Sequence, residues 1–175
     1  MTRRLLAVLL LAVAAHSRPA AQDVSKEYRV KAAYLYNFVK FVEWPGRTEP
    51  GPIVICVAGR NPFGSILDDT IRGETVRGRT LAARVILEPD TGCHVTFVPT
   101  GANASAYLRG ARGTPTLTVG ESLDFIQQGG LIRFYLDGGT VRFEINRDGA
   151  ERAGVRISSR LLQLARLVPA PPETR

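Results

Sequence analysis

Cys56, Cys93 and His94 carry the most chemical reach in this sequence, and two of them are adjacent. A structural zinc site takes four nitrogen or sulfur ligands, and a catalytic site takes three with one position open. These three residues plus water fall short of the usual sets, and the only other histidine is His16, close to the amino terminus. No metal is expected. No serine stands at a nucleophile elbow, and no Cys-His-Asn set is visible. The acids Asp68, Asp69, Glu74, Glu88, Asp90, Asp124 and Glu144 are dispersed without a paired motif. Glu144 stands on the polar side of a predicted hairpin beside Arg142, where an exposed ion pair contributes below about 1 kcal/mol. The run Gly59-Arg60-Asn61-Pro62-Phe63-Gly64 has the glycine spacing of a phosphate loop but lacks the lysine that nucleotide hydrolysis needs. With neither catalytic residues nor a cofactor site in view, the chain reads as a non-enzyme.

The same glycine turn follows a predicted strand and opens a helix, where backbone N–H groups can hold an anion. Gly120-Glu121-Ser122 follows another strand, and α/β sheets take ligands at that edge. Arg60, Asn61 and Ser122 are therefore the candidate ligand-binding residues, although ordinary turn chemistry accounts for the same residue types.

The elements that position these residues follow from periodicity. Residues 25–43 predict one helix with Ser25 as N-cap and Pro45 as the stop. Val30, Tyr34, Phe38 and Phe41 form one apolar stripe, and Leu35, Val39 and Val42 form a second beside it. A helix apolar nearly all round is buried on several sides. One side would face the sheet, and the other needs a loop, a second copy or a partner. The expectation is that another polypeptide covers the surplus.

Strands are predicted over 53–57, 80–87, 94–98 and 116–119, with helices over 65–71, 102–111 and 122–128. The alternation points to an α/β fold, a mainly parallel central sheet flanked by helices. Residues 131–136 and 141–145 alternate apolar with polar around Asp137-Gly138-Gly139, which predicts a C-terminal antiparallel β-hairpin. A final helix over 158–168 presents Leu161, Leu164, Ala165 and Val168, and Pro169 ends it.

Arg3 and Arg4, an apolar run over 5–15, then Ser17, Pro19, Ala20 and Ala21 read as a secretory signal peptide over 1–21. The apolar run is too short for a membrane span, which needs roughly 17–25 residues. Removing 21 of 175 residues leaves 154, enough for one domain over 22–168 with a disordered tail over 169–175. Arg3, Arg4 and Arg18 leave with the leader, lowering the formal charge from +7 to +4. The remaining arginines are scattered, and export removes access to nucleic acid, so no nucleic-acid partner is expected. In an oxidising compartment two cysteines suggest a disulfide, with two buried free thiols as the alternative.

Tyr28 to Pro45 resembles the opening signature of the YfiR-like family. Cys56-Val57-Ala58-Gly59, Asn61-Pro62-Phe63-Gly64, Cys93-His94-Val95, Gly129-Gly130, Arg142 to Asn146, and Ile157-Ser158-Ser159 with Leu161-Leu162 extend it over about 26–168. The resemblance implies a periplasmic repressor that binds the periplasmic sensor region of an inner-membrane diguanylate cyclase and lowers cyclic-di-GMP. It also implies a homodimer, an outer-membrane-associated partner that sequesters the repressor, and a bridge between Cys56 and Cys93. The later second cysteine pair of some members is missing here. The candidate partner or dimer surface comprises Tyr36 and Val39 on the first helix, with Phe143, Glu144, Ile157, Ser159 and Leu162 in the hairpin and C-terminal region. A periplasmic small-molecule sensor at the Asn61/Ser122 edge is the alternative.

Overall fold

The computed structural model describes residues 20–169, so the expected leader over 1–21 and tail over 169–175 fall outside it except at their inner ends. In chain order the elements are α1 (Ala20–Phe41), β1 (Val42–Glu43), β2 (Ile53–Ala58), α2 (Ile66–Ile71), β3 (Thr75–Val76), β4 (Arg79–Ile86) and β5 (Val95–Val98). Then come α3 (Ala104–Ala111), β6 (Leu117–Gly120), β7 (Ile132–Asp137), β8 (Thr140–Asn146), α4 (Arg147–Arg152), β9 (Arg156–Ile157), α5 (Ser159–Leu164) and β10 (Arg166–Val168).

Eight strands form one sheet in the order β10-β8-β7-β6-β5-β2-β4-β3. Strands β4, β2, β5, β6 and β7 run parallel. β8 returns antiparallel to β7, and β10 lies parallel to β8 on the outer edge. β1 and β9 make a separate antiparallel ribbon. This is the mainly parallel, helix-flanked sheet with a C-terminal hairpin that the alternating pattern predicts. β2 explains why: its unbroken run Ile-Val-Ile-Cys-Val-Ala is buried on both faces, as a central parallel strand must be. Ile55 and Val57 join the core beneath α1, while Cys56 and Ala58 join a second cluster with Tyr107, Leu108 and Phe125.

The opening helix departs from expectation. Ala32, Leu35, Phe38, Val39 and Val42 have no exposed surface at all. The sheet covers one side of α1, and α2 and α5 pack along it as well. Tyr34, Phe38, Phe134 and Phe143 stack or meet edge-on with ring centroids 5.1–6.1 Å apart. Both predicted stripes are thus largely enclosed by the fold itself, and among the described side chains the large apolar residues of α1 that stand exposed are Val24 and Val30. The helix also begins before Ser25, running from Ala20.

Other boundaries shift for local reasons. Residues 122–128 form successive turns rather than a helix, and Phe125 plunges inward. It fits because Gly120 and Gly130 lack side chains: a Cβ on either would stand 2.3 or 2.2 Å from the ring. The final helix stops at Leu164, and the chain extends through Ala165 into β10. The unforeseen α4 is capped by Asn146, whose Oδ1 accepts from Gly149 N at 2.8 Å.

A two-residue turn joins β3 to β4, with Arg77 at φ +52° and Gly78 at φ +74°. Left-handed backbone is unfavourable for arginine. The compensation is visible: Arg77 donates to the carbonyls of Val42 at 3.0 Å and Lys40 at 3.3 Å, where α1 ends.

Candidate partner surface and the polar groups behind it

Cys56 and Cys93 form a disulfide, with Cα atoms 5.8 Å apart and a sequence separation of 37. The parallel pairing of β2 with β5 brings them together, and neither is exposed. The bridge is part of the core, out of reach of solvent thiols. Among the described residues no three His, Cys, Asp or Glu side chains cluster as metal ligands do.

His94 is buried beside the bridge, with Trp44 edge-on to its ring at 5.6 Å. Its Nδ1 accepts from Val54 N at 3.2 Å, and its Nε2 stands 3.1 Å from the Arg79 guanidinium. The neutral ring keeps one acceptor nitrogen between these two N–H donors; a proton would remove it and leave both nitrogens as donors facing donors. Burial, with Arg47 and Arg79 nearby, pushes the imidazole down to about 4. The unfolded chain therefore binds the proton first as pH falls below about 6.5, and stability drops until roughly pH 4. Between pH 8 and 5 the loss is on the order of 2 kcal/mol, read as the urea midpoint, and His94→Gln should flatten that slope.

The two carboxyl ends where this sheet type takes ligands are those of β2 and β5, at the reversal of strand order. Here α1 fills the crevice. Glu121 accepts from Thr100 N at 2.8 Å, Tyr28 Oη at 3.3 Å and Lys31 Nζ, and Lys31 also pairs with Glu27. Lys31 is 4% exposed, and Tyr28 packs edge-on against Phe63 at 5.3 Å. Burial and the Glu121 carboxylate push the Tyr28 phenol upward. Of the candidate ligand residues, Asn61 closes its own turn, accepting from Phe63 N at 2.9 Å and donating to the Gly64 carbonyl at 3.0 Å. Arg60 is exposed and Ser122 half-buried next to Glu121. Cavities of about 620, 300 and 230 Å³ lie at the opposite, amino-terminal ends of the parallel strands.

The hairpin's polar side is enclosed at Glu144 and Arg133, while Arg142 stays exposed. Glu144 is 3% exposed and faces Arg133 in register on β7 and Arg166 in register on β10. Arg133 Nε donates to Oε1 at 2.6 Å, and Arg166 Nε donates to Oε2 at 2.9 Å. The Tyr135 ring lies 5.5 Å from the Arg133 guanidinium and 4.9 Å from that of Arg166. Burial pushes the Glu144 carboxyl up, but the hydrogen bonds from both arginines prevail and hold it below the usual carboxylate range. The local partner expected for Glu144, Arg142, pairs instead with Asp137 at 3.0 Å.

Three residues of the expected partner surface are therefore interior: Val39 at 0%, and Phe143 and Glu144 at 3% exposure. Each faces a layer the sequence pattern did not disclose, namely the α1 packing for the first two and β10 for the third. Ile157, Ser159 and Leu162 do gather where α1 meets the C-terminal segment. Ile157 pairs with Val42, and Ser158 N donates to the Phe41 carbonyl at 2.9 Å. Tyr36 stands apart on the α2 side, its hydroxyl 2.5 Å from Glu74. The residues that sequence reasoning missed are Leu164 and Leu167, 72% and 51% exposed, with Leu136 at 54%. The spacing predicts Leu164 on the stripe of a helix over 158–168; the helix ends at Leu164 itself, and its side chain is exposed.

A family model described as YfiR/HmsC-like matches residues 28–166. The chain belongs to the YfiR/HmsC-like family. The matched span starts at Tyr28, which helps fill the sheet crevice, and ends at Arg166, which completes the Glu144 triad. A conserved domain protein from Vibrio cholerae O1 biovar eltor shares the fold, with a TM-score of 0.55 at 13% identity. The alignment covers 80% of this chain and 59% of that one, so this chain spans under two thirds of the Vibrio protein. The ABC domain from Streptococcus pneumoniae in complex with L-Trp matches at a TM-score of 0.46 and 12% identity, over 66% of this chain and 55% of that one. No helix among the described residues is long and apolar enough to cross a membrane.

Proposed function

We propose that this chain is a periplasmic regulatory protein that binds and represses the periplasmic sensor domain of an inner-membrane diguanylate cyclase, lowering cyclic-di-GMP. The observation that carries the reading is the family match across residues 28–166, nearly all of the folded chain. The enclosed crevice supports a binding role over a catalytic one, because the sheet edge that usually takes substrates is filled by Lys31, Tyr28 and Glu121. An outer-membrane-associated protein that captures the repressor, and a homodimer, belong to the same proposal.

In this reading the partner meets the C-terminal edge, a choice supported by the exposure of Leu164 and Leu167 near Ile157, Ser159 and Leu162. Apolar side chains left in water at an edge gain most from being covered by a partner. Leu164→Asp combined with Leu167→Asp should weaken co-purification with the cyclase sensor domain by about tenfold or more, with the thermal midpoint of the free protein little changed. Undiminished capture would remove this surface from consideration. Deletion of the gene should raise cyclic-di-GMP, and an unchanged level in a strain retaining the cyclase would count against repression itself.

A further inference from the structure

The cavity of about 300 Å³ at the amino-terminal ends of β2 and β4 is walled by Trp44, Ile53 and four arginines: Arg47, Arg77, Arg79 and Arg156. The single acid in its wall is Glu43, 3.5 Å from Arg156. Arg47 is already held, by Glu49 through Nε at 2.6 Å and by the carbonyls of Cys93 and Thr91 at 2.5 and 2.6 Å. Arg77 and Arg79 differ. Arg77 is fixed by the carbonyls of Val42 and Lys40, and Arg79 by those of Gly51 and Pro52, at 2.8 and 3.1 Å for the latter pair. Carbonyl oxygens orient a guanidinium without cancelling its charge, and each guanidinium has five N–H donors, so donors remain. The usual entropic cost of ordering two long side chains is thus met by the fold before any ligand arrives.

A second observation points the same way. Trp44 is 8% exposed, and its indole N–H has no hydrogen-bond acceptor, although buried donors are almost always paired.

We propose that this cavity is a binding site for a small multivalent oxyanion, a phosphate ester or a dicarboxylate. Its volume is at the lower end of small-molecule sites and larger than a bare inorganic ion requires. Guanidinium forks match carboxylate and phosphate oxygens in pairs, and Arg156, 71% exposed, is the arm able to swing from Glu43 onto the anion. The proposal is independent of the partner reading and survives its failure.

Trp44 is the only tryptophan in the chain, so its fluorescence reports on this wall alone. Titration of the purified protein with sodium pyrophosphate and with citrate should give a saturable fluorescence change and a raised thermal midpoint. Sodium chloride at matched ionic strength should give neither. Arg156→Glu, a surface change that leaves the carbonyl-bound arginines in place, should weaken either anion by about tenfold or more, and Arg79→Gln should weaken it further. No response to either anion, a response that chloride reproduces, or saturation unaltered in Arg156→Glu would each overturn the site. Binding of polyglutamate without pyrophosphate or citrate would also overturn it, by pointing to an acidic protein segment instead.

Discussion

Glu144→Ala should lower the unfolding free energy by about 3–5 kcal/mol, measured by urea denaturation at neutral pH. Glu144 holds two arginines of unequal exposure: the side chain of Arg133 is 9% exposed and that of Arg166 is 56% exposed. When the carboxylate is removed, Arg166 can turn into water, but Arg133 remains on β7 between β6 and β8 with its charge unmatched. The loss therefore comes mainly from one stranded cation. Arg166→Ala should cost far less, since an exposed member of an ion pair contributes little. Equal effects from the two substitutions would show that the triad does not act through burial. Glu144→Gln separates charge from shape: it keeps one acceptor for Arg133 and should fall between the two.

Removing the disulfide should cost about 4 kcal/mol on the chain-entropy account, because the bridge closes a loop of 37 residues. The Cys56→Ser, Cys93→Ser pair is the cleanest test, compared with the parent by urea denaturation without reductant. Because both sulfurs lie in the cluster beneath α3, the native protein should resist mild reductant and lose the bridge only as it unfolds. Rapid loss of the bridge at native temperature without loss of structure would contradict this placement.

Much of the sheet was legible because its signals are local. The β-branched run of β2 and the alternation around Asp137-Gly138-Gly139 each specify a strand without reference to the rest of the chain. What the sequence withheld was which layers meet. Periodicity shows that Leu35, Val39 and Val42 are apolar, but not that sheet, α2 and α5 jointly enclose them, so burial was mistaken for a docking face. The same gap hid Glu144, whose alternation marks it as outward on a hairpin; β10 then covers that side. β10 was illegible for a different reason: Leu164, Ala165 and Val168 fit helical spacing, and three residues carry no strand signal of their own. α4 lacks an apolar stripe, and its sequence Arg-Asp-Gly-Ala-Glu-Arg shows only the Asn146 cap. The arginine cavity gathers side chains from four separated segments, a grouping that no spacing rule reports.

The short last strand has a bearing on solubility. Without it, seven-residue β8 would stand at the border of the sheet with its outward-pointing N–H and C=O groups unpaired, an invitation to self-templating growth into filaments. β10 seals the end nearer Asn146, leaving only residues 140–143 open, and Pro169 follows at once with no amide hydrogen to offer. Three residues thus shorten the open border on this side of the sheet, and the exposed Leu167 among them is the apolar point left along it.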